Sequence, residues 1–326
     1  MQNKRYLVTG GTGFIGSALV RKLYQSGAKV RVLDSGLRSS VESLEDILAD
    51  IDVIQGDVRD TGTVFKALKD IDCVFHLAAL NGTHSFYKNP GLVLDIGVKG
   101  ILNVIDGCKQ LGVKNLFVAS SSEVYQTPPM IPTDETAPLQ IPDVLNPRYS
   151  YGGSKILSEL LAIHQGSTAF DRVIIFRPHN VYGPNMGMGH VIPQFIDRAL
   201  KSLSQHPTGQ VPFSMQGDGS QTRAFTHIDD MIDGLMTLLE KGKHLEIYHI
   251  GNPEEITMHQ LADKIFNQLG RKPEYQFSPL PEGSTMRRCP DISKIKNLGF
   301  LPKVNIDTGL KAVIDWHVQS SSQAYV

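Results

Sequence analysis

The sequence predicts an α/β protein of the Rossmann type: a doubly wound parallel sheet followed by a smaller C-terminal α/β substrate-binding lobe. Three observations carry this. Short apolar runs alternate with amphipathic stretches of helical length through the first half, and each parallel crossover needs such a covering element. A glycine-rich turn joins the first strand to the first helix. After Arg177 prolines and glycines break the alternation.

Strands are expected at Arg5–Thr9, Val30–Asp34, Asp52–Gln55, Cys73–Ala78, Leu116–Ala119 and Val173–Phe176. The unbroken apolar run of the last suits a strand buried on both faces. Between them the spacing predicts helices over Ile15–Ser26, Thr61–Leu68, Gly91–Leu111 and Lys155–His164. Beyond Arg177, Pro178, Pro184, Pro193, Pro207 and Pro212 punctuate a glycine-containing stretch. Helices follow at Asp229–Leu239, Met258–Leu269 and Asp307–Val318, with an apolar patch at Tyr248–Ile250 and a Pro-rich stretch over Pro273–Pro290. The tail, Ser320–Val326, is expected to fray.

Composition narrows the function. The 326 residues carry 32 Lys+Arg against 33 Asp+Glu, a formal net charge of −1, which removes the electrostatic basis for nucleic-acid binding. No stretch approaches the roughly 20 apolar residues that cross a bilayer. Residues 1–9 lead straight into strand-like sequence without an apolar signal region. Cys73, Cys108 and Cys289 are odd in number and lack metal-ligand spacing, which reads as reduced thiols in a cytoplasmic protein.

The first strand runs into Gly10-Gly11-Thr12-Gly13-Phe14-Ile15-Gly16. Glycines suit a tight turn, close backbone approach to a pyrophosphate, and close helix–strand packing. The helix N-terminus then offers free N–H groups, those of Phe14 and Ile15 among them, and a positive dipole end. Asp34 ends the second strand, 18 residues after Gly16, where a carboxylate accepts from ribose hydroxyls and repels a 2′-phosphate. NAD is therefore expected rather than NADP. Arg38 keeps NADP open, its other reading being a solvated loop cation. Asp57 and Val58 are placed to read the adenine edge, or else form a turn. Leu77, Ala78 and Ala79 end the fourth strand with backbone a cofactor can lie against, and His76 reads as a packed strand residue.

Tyr151 and Lys155 stand four apart, one helical turn, on a shared face. A free phenol has a pKa near about 10; a neighbouring ammonium and an oxidised nicotinamide both favour the phenolate, so Tyr151 is a candidate base. Lys155 has a second candidate role on the nicotinamide ribose. Ser120, Ser121 and Ser122 follow the fifth strand, on the sheet edge where open α/β sheets bind ligands, and one of these hydroxyls can share the substrate proton.

These motifs resemble the extended short-chain dehydrogenase/reductase family, in its NAD-dependent nucleotide-sugar epimerase/dehydratase branch. The resemblance runs through Thr9–Gly16, Ala119–Tyr125 (ASSSEVY), Asn146–Lys155 (NPRYSYGGSK), Arg177–Pro184 (RPHNVYGP), Gly217–Asp230 (GDGSQTRAFTHIDD) and Pro290–Lys294 (PDISK). It implies that residues 1–177 bind NAD, with part of 216–250 returning to that lobe, and that 178–326 mainly bind a UDP-, GDP-, dTDP- or CDP-linked sugar. It implies Ser121 as hydroxyl partner, Tyr151 as proton acceptor and Lys155 as tuning cation. Asn180 would contact the sugar diphosphate, Arg223 pair with a phosphate through its forked donors, and residues near His190–Gln194, Val191 included, line the nucleobase. It also implies a homodimer, for which the helices Gly100–Leu111 and Lys155–His164 offer apolar faces. Two departures stand out: Gly97 replaces the family's usual Asn, and Gln126 replaces the glycine that commonly follows Val-Tyr.

The resemblance further implies a transient 4-keto sugar with three fates: return of hydride on the other face, loss of C6 water after C5 deprotonation, or loss of a C6 carboxylate. Glu123 bears on the choice, since dehydratases and decarboxylases are similar to this chain in carrying a Glu before Val-Tyr or Leu-Tyr, whereas simple epimerases need none. Ser122 stands where glucose-type dehydratases carry the aspartate that protonates the leaving group. Ser293 follows Ile292 where the decarboxylases' carboxylate-binding arginine is expected, which disfavours decarboxylation. Epimerisation ranks first on these grounds, with 4,6-dehydration using Glu123 as C5 base second.

Overall fold

The computed structural model describes residues 4–280 and 285–323, with side chains through residue 319. The six apolar runs form β1 (Arg5–Thr9), β2 (Lys29–Asp34), β3 (Asp52–Gln55), β4 (Cys73–His76), β5 (Asn115–Ala119) and β6 (Arg172–Pro178). Short strands β7 (Val181–Tyr182), β8 (Val211–Gln216), β9 (Thr222–Ala224) and β10 (Thr226–His227) follow. The apolar patch near Tyr248 becomes β11 (Glu246–Ile250), ahead of β12 (Glu255–Thr257), β13 (Pro273–Ser278) and β14 (Arg287–Arg288). The main sheet is seven-stranded, in the order β11-β6-β5-β4-β1-β2-β3, with every pairing parallel. The strand order reverses between β1 and β4, which opens a crevice at their C-terminal ends.

The helices are α1 (Phe14–Gln25), α2 (Thr61–Leu68), α3 (Thr83–Lys88), α4 (Pro90–Leu111), α5 (Ser150–Gly166), α6 (Val191–Gln205), α7 (Ile228–Lys241), α8 (Met258–Gln268), α9 (Ser293–Lys296) and α10 (Ile306–Gln323). On one face of the sheet, Leu19, Val20 and Leu23 of α1 pack with Met231, Leu235 and Leu238 of α7. On the other, Val64 of α2, Ile101 and Val104 of α4 and Ala162 of α5 cover β4, β5 and β6. A third cluster joins α6, α8 and α10 to β8 through Phe195, Phe213, Phe266 and Val313.

Two expectations change. The Pro-rich reading hid α6, because Pro193 sits in its first turn, where a missing N–H costs nothing; Ile192, Phe195, Ile196 and Ala199 then bury one face. The tail expected to fray continues α10 as far as Gln323, and residues 324–326 lie outside the described residues.

Gly97 is a packing requirement. It lies where α4 crosses α5, and a Cβ on it would sit 2.7 Å from both Cβ and Oγ of Ser154. The usual Asn has no room there.

Candidate active site

At the β1–α1 turn the glycines are forced by proximity: a Cβ on Gly16 would stand 2.1 Å from the Gly10 carbonyl oxygen. Gly13 begins α1 and leaves its first turn without a side-chain cap. The open amides at that helix end face a cleft of about 1400 Å³, a fit for the pyrophosphate of a dinucleotide. Asp34 is held beside it by accepting from the amides of Thr12 at 3.1 Å and Gly36 at 3.0 Å.

The cleft is lined by Gly10, Gly13, Phe14, Ile15, Gly16, Asp34, Asp57, Val58, Leu77, Ala78 and Ala79 at one end, and by Ser121, Ser122, Glu123, Tyr151, Lys155 and Asn180 at the other. The Asp57 carboxylate is engaged by the Arg59 guanidinium at 2.7 Å, leaving the Val58 backbone as the freer contact for an adenine edge. His76 is packed as expected, its Nδ1 2.8 Å from Thr9 Oγ1.

Tyr151 stacks on Phe86 with ring centroids 5.2 Å apart. Lys155 Nζ lies 5.7 Å from the phenol ring centroid and donates to the Ala119 carbonyl at 2.7 Å. Burial pushes the Tyr151 pKa up to about 12, ahead of the downward pull of the Ser121 hydroxyl and of Arg38. Burial also pulls Lys155 down to about 8, against the attraction of Glu159.

Glu123 gives the other end its character. Arg288 Nη1 donates to Glu123 Oε1 at 2.5 Å. Burial works to raise the Glu123 pKa, but the charge and hydrogen bond of Arg288, with Arg148 and Arg223 behind it, hold it below the ordinary value. Gln126 occupies the glycine position in a left-handed conformation, φ +52°. Its side-chain amide donates to the Glu123 carbonyl, so the glutamine fastens the loop that bears the carboxylate.

Two sequence candidates stand back from the cleft. Arg223 donates to the carbonyls of Thr222 and Thr285, each at 2.7 Å, and burial lowers its pKa to about 10. Val191 is half-buried in the first turn of α6, and its neighbour His190 lines the cleft instead. Asn180, at φ +39°, donates to the Ala224 carbonyl at 2.9 Å. Sequence reading missed Arg288, Arg148, Phe86 and Trp316, all of which line the cleft.

Beneath the serine loop lies a buried polar network. Arg177 pairs with Glu159 at 2.6 Å, Ser120 donates to Glu159, and Tyr125 Oη lies 2.5 Å from His249 Nε2. The loop that presents Ser121 and Glu123 is thus tied down from below.

The chain was compared with known proteins. The profile described as the NAD dependent epimerase/dehydratase family matches residues 6–251. UDP-glucuronic acid decarboxylase 2 of Arabidopsis thaliana is 33% identical over 315 residues, covering 95% of this chain and 67% of that protein. A putative UDP-glucose 4-epimerase of Methanocaldococcus jannaschii is 32% identical, covering 95% of this chain and 97% of that protein. Among solved structures, the dTDP-glucose 4,6-dehydratase of Streptomyces venezuelae, crystallised with NAD, superposes with a TM-score of 0.86 at 29% identity, covering 98% of each chain.

Proposed function

The chain belongs to the NAD dependent epimerase/dehydratase family, and from that premise we propose that it is a nucleotide-uronate decarboxylase acting through a 4-keto sugar. The observation that carries this is the Arg288–Glu123 pair at the sugar end of the cleft.

Tyr151 takes the proton of the sugar 4-hydroxyl, with Ser121 sharing it and Lys155 holding its ammonium beside the ring. NAD, held by the amides at the start of α1 and by Asp34, would supply the hydride acceptor for C4 and a positive ring whose charge favours the Tyr151 phenolate. Oxidation at C4 turns a C6 carboxylate into a β-keto acid. The C5–C6 bond then breaks, its electron pair passes to the C4 oxygen, carbon dioxide leaves, and a proton returns to C5. Arg288, five residues before Ser293, brings to the cleft the cation whose lack at position 293 spoke against decarboxylation, and its charge suits a carboxylate. Arg148 lines the same cleft as Arg288, and two such cations favour an anionic sugar nucleotide there.

Epimerisation is the second reading, supported by the archaeal relative that matches over almost its full length; it gives Arg288 no task. Dehydration asks Glu123 to be a base, and a carboxylate held low by an arginine is a weak one. The deciding experiment supplies UDP-glucuronate, UDP-glucose, dTDP-glucose and GDP-mannose with NAD and follows product mass. Loss of carbon dioxide from the uronate is expected; loss of water, or an isomer of unchanged mass, overturns the proposal. We also propose that the protein works as a homodimer through the outer faces of α4 and α5.

A further inference from the structure

The loop after β2 is tied to the cofactor turn at its base. Thr12 Oγ1 lies 2.7 Å from Ser39 Oγ, and Ser43 Oγ donates to the Thr12 carbonyl at 2.8 Å. From that base the Arg38 side chain crosses the cleft instead of turning toward Asp34. A Cβ built on Gly82, beyond β4, or on Gly187, in the segment before α6, would in either case lie 3.8 Å from Arg38 Nη2. Arg38 lines the same cleft as Tyr151 and His190, and its charge acts downward on both of their pKa values, behind burial, the largest cause. Among the described residues it has no hydrogen-bond or ion-pair partner. A cation anchored at one rim, touching the other and left without a counter-charge is suited to an anion lying between them.

We propose that Arg38 is a positioning residue that closes over the bound dinucleotide, pairs with its diphosphate from the side opposite α1, and retains it between oxidation and reduction of the sugar. The inference rests on NAD binding by the family and not on which fate the ketone takes. An enzyme that returns the hydride to the same sugar must not release the reduced cofactor midway, so a retaining contact serves the whole cycle. Two diphosphates, of the cofactor and of the nucleotide sugar, offer the same chemistry. The attachment of the loop to Thr12 favours the cofactor.

The test reads cofactor release in the absence of any sugar. Protein loaded with NAD is mixed with excess alcohol dehydrogenase and ethanol, and released NAD appears as absorbance of NADH. Arg38→Met is expected to speed release about tenfold, the loss of one charge-assisted contact, with Arg38→Lys between it and the wild type. UDP affinity, read by calorimetry, is expected to stay within about twofold, since a contact to the cofactor leaves the nucleotide subsite intact. Unchanged release, or a loss of UDP affinity with release unchanged, overturns the proposal; the second result gives Arg38 to the substrate diphosphate. Because no sugar is present, failure of the decarboxylase reading leaves this result standing.

Discussion

Arg288 and Glu123 decide what the cleft can do to a sugar once C4 is oxidised. If Arg288 holds the substrate carboxylate, Arg288→Met lowers the rate of carbon dioxide release by about a hundredfold, the scale set by removing one charge donor from a preorganised site. NAD binding is unchanged. Glu123 then loses its main counter-charge, and its pKa rises from below the ordinary carboxylate value. A variant that decarboxylates at the wild-type rate refutes the assignment. Such a pair is hard to read in a sequence, for its members stand 165 residues apart: Glu123 was legible in its segment before Val-Tyr, and its partner was not. Tyr151 and Lys155 were legible because helical spacing alone puts them on one face. The direction of their pKa shifts was not, since it depends on what buries them: Phe86 and the serine loop come from other elements.

At the scale of elements, α4 and α5 do two jobs. Their inner faces meet at Gly97 and Ser154, a contact too close for the side chain the family usually places there. Outward they leave apolar residues uncovered: Leu157 and Leu160, one turn apart on α5, are 44% and 47% exposed, and Leu94 and Leu111 of α4 are 39% and 42% exposed. The same pair of faces on a second copy would cover them as a four-helix contact. Light scattering is expected to give twice the chain mass, and Leu157→Glu with Leu160→Glu to give the single chain with NAD binding retained. A wild-type protein that runs as one chain at micromolar concentration ends the proposal. Periodicity found α4 and the body of α5 because no proline interrupts residues 91–111 or 155–164. It missed α6 because Pro193 reads as a breaker unless its place in the first turn is known.

Taken whole, the main sheet was legible as alternation, whereas the later part was not. There β9 pairs with β12 and β14, strands of two or three residues drawn from distant segments, too short to show any period. Of the imidazoles His76, His179 and His249, all buried by folding, the first was legible as a packed strand residue and the other two were hidden. His76 lies between Thr9 and Lys155, and burial with that ammonium brings it down to about 3. His249 lies between Tyr125, Arg177 and the Asp291 carbonyl, and burial brings it to about 4. His179 packs edge-on against His249 with neither ring nitrogen hydrogen-bonded among the described residues, and burial lowers it well below its ordinary value. Each stays neutral in the fold but takes up a proton in the unfolded chain below about pH 6.5. Stability is therefore fully present above that pH and is lost as pH falls toward the folded values, by about 1.4 kcal/mol per pH unit for each histidine. Glu135, whose carboxyl is raised by burial, acts in the opposite sense and blunts the fall near its own titration. Urea unfolding midpoints measured from pH 7.5 down to 5.5 are expected to drop steadily, and His76→Asn should flatten the slope by one histidine's share. Midpoints that hold constant across that window mean that these rings are charged, or reached by water, in the native protein.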